Sequence, residues 1–149
     1  MKLPLVTFVL CVLLSSGSSQ SQDRFLGTWK LNKDKSARSH YFPEEMFTIE
    51  RQGNTYKFTY SSPDHKRTEQ RWWFVTDMKG AWVEIEPNGM NRLSPVRVIR
   101  KDSDEFEENN ELFTKDCKVS VDGKAMIVRR ELFVDDEPSE RVFVFDRVH

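Results

Sequence analysis

Cysteine is nearly absent from this chain, and what there is cannot pair internally. Of two cysteines in 149 residues, Cys11 lies inside an N-terminal apolar run and Cys117 stands alone beyond it. No disulfide therefore staples the fold. Long apolar runs are missing too. The stretch from Leu3 to Leu14 is short of the ~20 residues a membrane helix needs, and no later stretch is as long or as free of charge, so a membrane span is not expected. There is no basic surplus: 23 Lys and Arg stand against 24 Asp and Glu, a formal net charge of −1. Nucleic-acid binders carry a basic face, so that partner is not expected either. The three histidines, His40, His65 and His149, form no His-Glu-x-x-His pair and no Cys/His spacing suited to zinc. A nucleophile elbow and a glycine-rich phosphate loop are also lacking. The sequence is read as non-catalytic, with no cofactor and no metal. No Asn-x-Ser/Thr occurs, which removes N-glycosylation.

What is present begins with Met1 and Lys2, the apolar run, and small residues from Ser15 to Ser19, the layout of a secretory signal peptide. Residues 1–19 are assigned to it. Cleavage after Ser19 or after Ser21 fits equally well, leaving residues 22–149 as one secreted, extracellular domain. In such a compartment a lone thiol is either a small buried hydrophobe or one half of an intermolecular bridge, so Cys117 leaves a disulfide-linked dimer open.

The domain has eleven Phe and four Trp, arranged in short alternating runs broken by turn residues. Phe25–Leu31 opens the series. Asn32–Phe42 is polar and closes on Pro43, with room for one short helical turn at most. Met46–Arg51 and Thr55–Ser61 flank Gly53-Asn54 as a hairpin, with Tyr56, Phe58 and Tyr60 on one face. Lys66–Val75 puts Trp72 and Phe74 on one side and Trp73 and Val75 on the other. Ala81–Glu86 alternates Ala81, Val83 and Ile85 against Trp82, Glu84 and Glu86. Val96–Arg100, Glu105–Thr114, Cys117–Val121, Lys124–Val134 and Arg141–Val148 complete the set, with turns at Asp122-Gly123 and from Asp135 to Pro138. Many short strands at even spacing mark an all-β domain. Consecutive hairpins favour a single antiparallel up-and-down barrel of eight to ten strands, which also removes exposed edges.

Two strings carry a resemblance. Phe25-Leu26-Gly27-Thr28-Trp29-Lys30-Leu31 resembles the opening strand of fatty-acid-binding proteins, and its Gly-x-Trp core resembles the first lipocalin signature. Val144-Phe145-Asp146-Arg147-Val148 resembles the closing strand of fatty-acid-binding proteins. Gly27–Asn32 with Lys35-Ser36, together with Ser120-Val121-Asp122-Gly123-Lys124, is also similar to small exported bacterial domains of unknown function that begin Gly-Thr-Trp-Lys-Leu-Asn. The resemblance implies a lipocalin-like barrel closed beneath Trp29, with Arg147 as the cation over its ring. It also marks departures. The interval from Asn32 to Met46 is too short for the helix-turn-helix lid of fatty-acid-binding proteins, and Phe143 stands where their last strand carries a carboxylate-clamp arginine.

Tyr56, Phe58, Tyr60, Trp72 and Phe74 are the candidate ligand wall, because ligand pockets are mostly apolar and aromatic with few polar anchors. The competing reading is that these rings fill a solid core. Arg71, Arg97, Arg129 and Arg141 are the cations considered for an acidic head group. The acidic run Asp102–Glu111 does not make an EF-hand loop: Glu107 occupies the place of the obligatory glycine and Phe113 that of the final glutamate. Arg71-Trp72-Trp73 is no base-stacking platform, since alternation splits the tryptophans. The expected function is carriage of a small hydrophobic molecule. The alternative is a filled barrel acting outside the cell through its surface, on a matrix, a mineral or a protein partner.

Overall fold

The computed structural model describes residues 22–37, 45–63, 68–86, 94–134 and 137–149. Residues 1–21, 38–44, 64–67, 87–93 and 135–136, among them the expected signal peptide and several expected turns, lie outside the described residues. Ten strands follow in order: β1 (Gly27–Leu31), β2 (Met46–Gln52), β3 (Thr55–Pro63), β4 (Glu69–Thr76), β5 (Lys79–Val83), β6 (Val96–Arg100), β7 (Glu105–Asn109), β8 (Phe113–Val119), β9 (Ala125–Val134) and β10 (Glu137–Val148). No helix occurs among the described residues, and none is long and apolar enough to cross a membrane. Of the polar stretch after β1, residues 33–35 form a turn.

The strands make one antiparallel sheet in the order β4-β3-β2-β1-β10-β9-β8-β7-β6-β5. Each strand pairs with its sequence neighbour, and pairing of β1 with β10 joins the two ends of the chain. Beside the sheet's edge strands, β4 and β5, Glu86 just beyond β5 bridges to Trp73 of β4, the two exchanging both backbone hydrogen bonds (2.9 and 2.7 Å), the one isolated bridge among the described residues. The result is an up-and-down barrel, closed except along the β4–β5 seam. Period-2 alternation explains it: β3 buries Tyr56, Phe58 and Tyr60, β4 buries Trp72 and Phe74, and β10 buries Phe143 and Phe145, so each of these strands turns one apolar face inward.

Two segments differ from the expected strands. Glu105–Thr114 is interrupted at Asn110, whose side-chain oxygen accepts hydrogen bonds from the N–H groups of Leu112 (2.8 Å) and Phe113 (3.0 Å). That turn splits β7 from β8, and β8 runs unbroken through Lys115 and Asp116. In β5 the expected alternation fails. The register slips between Lys79 and Trp82, with Gly80 at φ +89°, and this bulge leaves Ala81 and Trp82 both exposed.

Candidate functional site: the barrel interior

One end of the barrel is shut by the residues that carried the family resemblance. Trp29 is wholly buried and its indole N–H donates to the Phe25 carbonyl at 2.9 Å. The Arg147 guanidinium lies 4.1 Å from the Trp29 ring centroid and donates to the carbonyls of Leu26 (2.7 Å), Arg24 (2.5 Å) and Gly123 (2.7 Å). A Cβ at Gly27 would sit 2.8 Å from Arg147 Nη1, so glycine is required for that approach. Trp29 and Arg147 thus lie together at this end of the barrel.

Beside this plug, the Tyr56 hydroxyl donates to Asp23 Oδ2 at 2.6 Å, and Arg100 pairs with Asp23 Oδ1 at 2.5 Å. Burial first, then the hydrogen bond to Asp23, raises the phenol above its ordinary value of 10.0. The folded state holds this proton more tightly than the unfolded chain. The stabilisation is therefore complete below the unfolded phenol's pKa of ~10 and is lost as pH rises through the higher folded value. Tyr56→Phe is expected to cost about 1.5–3 kcal/mol near neutrality, the range for hydrogen bonds to charged groups. It should also shallow the alkaline fall in stability. Denaturant titrations at neutral and strongly alkaline pH measure both effects.

The predicted aromatic wall is assembled as one surface. Phe58 and Phe74 stack at 5.0 Å and Tyr60 and Trp72 at 5.8 Å, while Phe47 meets Phe145 edge-on at 4.9 Å. Against this wall stands a charged cluster that sequence reasoning did not select. The buried Tyr60 hydroxyl donates to Glu108 Oε2, and Lys115 Nζ donates to Glu108 Oε1 at 3.1 Å. Lys115 Nζ also lies 4.5 Å from the Phe113 ring centroid, and Arg130 Cζ lies 4.4 Å from the same centroid. Glu108 and Lys115 are each 3% exposed and Arg130 is 6% exposed.

The cations chosen from sequence are placed elsewhere. Arg97 alternates with buried Val96 and Val98, so it points outward, over the exposed Trp82 ring at 5.3 Å. Arg129 alternates with buried Val128 and lines an outer groove of about 480 Å³ together with Lys101, Asp116, Lys118 and Ile127. The lysines of that groove are already paired, Lys101 with Asp116 at 2.6 Å and Lys118 with Glu105 at 2.7 Å. Arg71 pairs on the outer face with Glu69 at 3.0 Å. Arg141 shares a face with Phe143 and Phe145 and stands directly across from Arg130, but it is exposed. Of the four, Arg141 alone is on the inward side, beyond the buried cluster. Cys117 faces the interior at 3% exposure. Its sulfur therefore reaches no second chain while β8 stays in the barrel.

Between the wall and the cluster, bounded by Phe47, Tyr60, Glu108, Lys115, Cys117 and Phe145, the free space is about 10 Å³. That is room for one water at most. The described interior is packed at this level.

No protein-family model matches the chain, and no curated protein matches it by sequence. Solved structures do match. Zebrafish ileal bile acid-binding protein, crystallised with cholic acid, superposes with a TM-score of 0.56 at 12% identity, covering 84% of this chain and 99% of that one. The two chains share a fold, a nearly closed up-and-down antiparallel barrel. The fluorescent protein UnaG agrees, with a TM-score of 0.53 at 11% identity over 84% of this chain and 98% of that one. At these identities the likeness extends to the fold, the nearly closed antiparallel barrel.

Proposed function

We propose that this up-and-down barrel is a secreted, non-catalytic carrier that holds a small hydrophobic acid. One observation carries the reading: buried cations, Lys115 and Arg130, stand beside an otherwise aromatic interior wall. An ion pair buried for stability alone gains little over apolar packing. A pocket that must orient an amphipathic ligand needs such a polar anchor within an apolar lining. Arg130 and Arg141, opposite one another on β9 and β10, would meet a carboxylate arriving from the exposed end of that hairpin, with the ligand's apolar body against Tyr60, Trp72 and Phe74. Cholic acid, bound by the zebrafish neighbour, belongs to this chemical class. Secretion is supported by the charged, apolar and small-residue order of residues 1–19.

The 10 Å³ of free space favours a second reading, an extracellular interaction protein with a filled barrel. Its contact surface would include Trp73 and Trp82, exposed on the outside. The two readings part on a titration. A carrier must let side chains or the single-bridge β4–β5 seam move to admit a ligand. An anionic naphthalene dye should then bind saturably at micromolar concentration, be displaced by cholate or a long-chain fatty acid, and shift the tryptophan emission. Absence of binding for dye and acids alike rejects the carrier and leaves the filled barrel.

A further inference from the structure

The geometry points to Lys115 as a carbonyl-capturing lysine, which forms a reversible imine with an apolar aldehyde that enters the barrel. The inference rests on the carrier reading above for the admission of a ligand, and on the buried cluster for the capture itself. Among the described residues Lys115 is the only buried lysine. Its neighbours are of two kinds. The Glu108 carboxylate lies 3.1 Å from Nζ and accepts the Tyr60 hydroxyl on its other oxygen. The ring centroids of Phe113 and Tyr60 lie 4.5 and 5.1 Å from the same nitrogen. Lys115, Glu108 and Tyr60 also border the small void beside Phe47 and Phe145. An amine, a proton acceptor in hydrogen-bond contact with it and an apolar wall thus meet at one interior place, the set that an amine nucleophile needs.

The step balances within the cluster. A proton crosses the hydrogen bond from Nζ to Glu108 Oε1, and the freed electron pair on nitrogen attacks the aldehyde carbon. The carbonyl oxygen takes that proton from Glu108 and becomes a hydroxyl. Glu108 then removes a second proton from the nitrogen and delivers it to the hydroxyl, which leaves as water while the nitrogen pair forms the C=N bond. The products are a protonated imine, a carboxylate and one water. No oxidant or further reactant enters. Arg130, buried in the same cluster, cannot do this, because a guanidinium does not give up its proton in a protein. Lysine does so readily once taken out of water.

The product suits the site as well as the starting amine does. Before and after capture there is one cation at Nζ and one carboxylate at Glu108, so no new charge is buried. The iminium keeps Glu108 as its counter-ion and the rings of Phe113 and Tyr60 as cation-attracting faces. Tight packing then protects it. Imines hydrolyse in water, and the free space of about 10 Å³ at this level admits one water at most, so the bond lasts while the barrel stays closed.

Incubating the protein with hexadecanal and sodium cyanoborohydride near neutral pH, followed by peptide mapping by mass spectrometry, tests the inference. Lys115 should carry a hexadecyl group at a level about tenfold or more above any surface lysine, because the bound aldehyde is held at high effective concentration beside that amine. The reductant fixes a C=N bond only, so a thiol adduct at Cys117, which borders the same void, leaves no mark. Excess hexadecanoic acid should suppress the label by occupying the same interior. Lys115→Arg keeps the buried cation and should abolish labelling. The double variant Lys115→Met with Glu108→Leu, which strands neither charge, should abolish it too while still binding hexadecanol. Label spread evenly over surface lysines, or label at the parent level in either variant, overturns the inference. Binding of hexadecanoic acid without any label at Lys115 overturns capture and leaves the carrier standing. Entry of neither acid nor aldehyde overturns both.

Discussion

Replacing Trp29 by alanine is expected to cost about 3–5 kcal/mol, the range for removing a fully buried large aromatic. Total stability of a domain is only ~5–15 kcal/mol, so this change takes a large share of it. Three losses coincide. The cavity opens beneath the closed end, the Phe25 carbonyl loses the indole N–H, and Arg147 loses the ring against which its cation rests. Arg147 also ties three carbonyls from two separate segments, residues 24–26 and the β8–β9 turn. Displacing it should therefore loosen the anchored N-terminal segment as well. Trp29→Phe keeps most of the apolar volume and should lose markedly less. Trp82→Ala, at 56% exposed on the outer face, should change stability by about 0.5 kcal/mol or less, as surface substitutions usually do. Denaturant unfolding of the three variants measures the ordering. Equal losses for Trp29 and Trp82 would show that the plug does not hold the barrel.

The second large effect concerns the charges inside. Lys115→Met leaves Glu108 buried and without its ammonium partner, which should cost about 3–5 kcal/mol. Adding Glu108→Leu removes the stranded carboxylate, and the double variant should recover to near the parent stability or above it. The Tyr60 hydroxyl then loses its acceptor, which retains a penalty of ~1–3 kcal/mol that a further Tyr60→Phe should relieve. Stability and carriage separate at this point. A double variant that is as stable as the parent yet has lost its preference for acidic ligands assigns the cluster to binding rather than to folding. Unfolding curves and ligand titrations on the same preparations decide it.

The barrel was legible in the sequence because most of its strands follow the period of two. The parity that placed Tyr56, Phe58 and Tyr60 inward holds through β2, β3, β4, β9 and β10. The charged cluster obeys the same parity. Glu108 is in step with Phe106, Lys115 with Phe113 and Cys117, and Arg130 with Met126 and Val128. Following register rather than residue type would have found all three. They were missed because charged side chains are almost never fully buried unless paired, and because the turn at Asn110 hid the start of β8. Arg97 and Arg129 fail the parity test, and that too can be read from their neighbours. The bulge in β5 was not legible, since nothing in Lys79–Val83 other than Gly80 announces a shift of register. The amount of free space inside depends on how rings from six or more strands interdigitate, and no local pattern encodes that.

The most direct measurement of the central claim is calorimetric binding of a long-chain carboxylic acid beside the alcohol of the same chain length, to the parent protein and to Arg130→Met. If the interior holds an acid by its buried cations, the parent should prefer the acid by about tenfold, equal to ~1.4 kcal/mol. Arg130→Met should bind the two alike. Equal affinity of the parent for acid and alcohol, or no heat from either, would contradict an interior anion site.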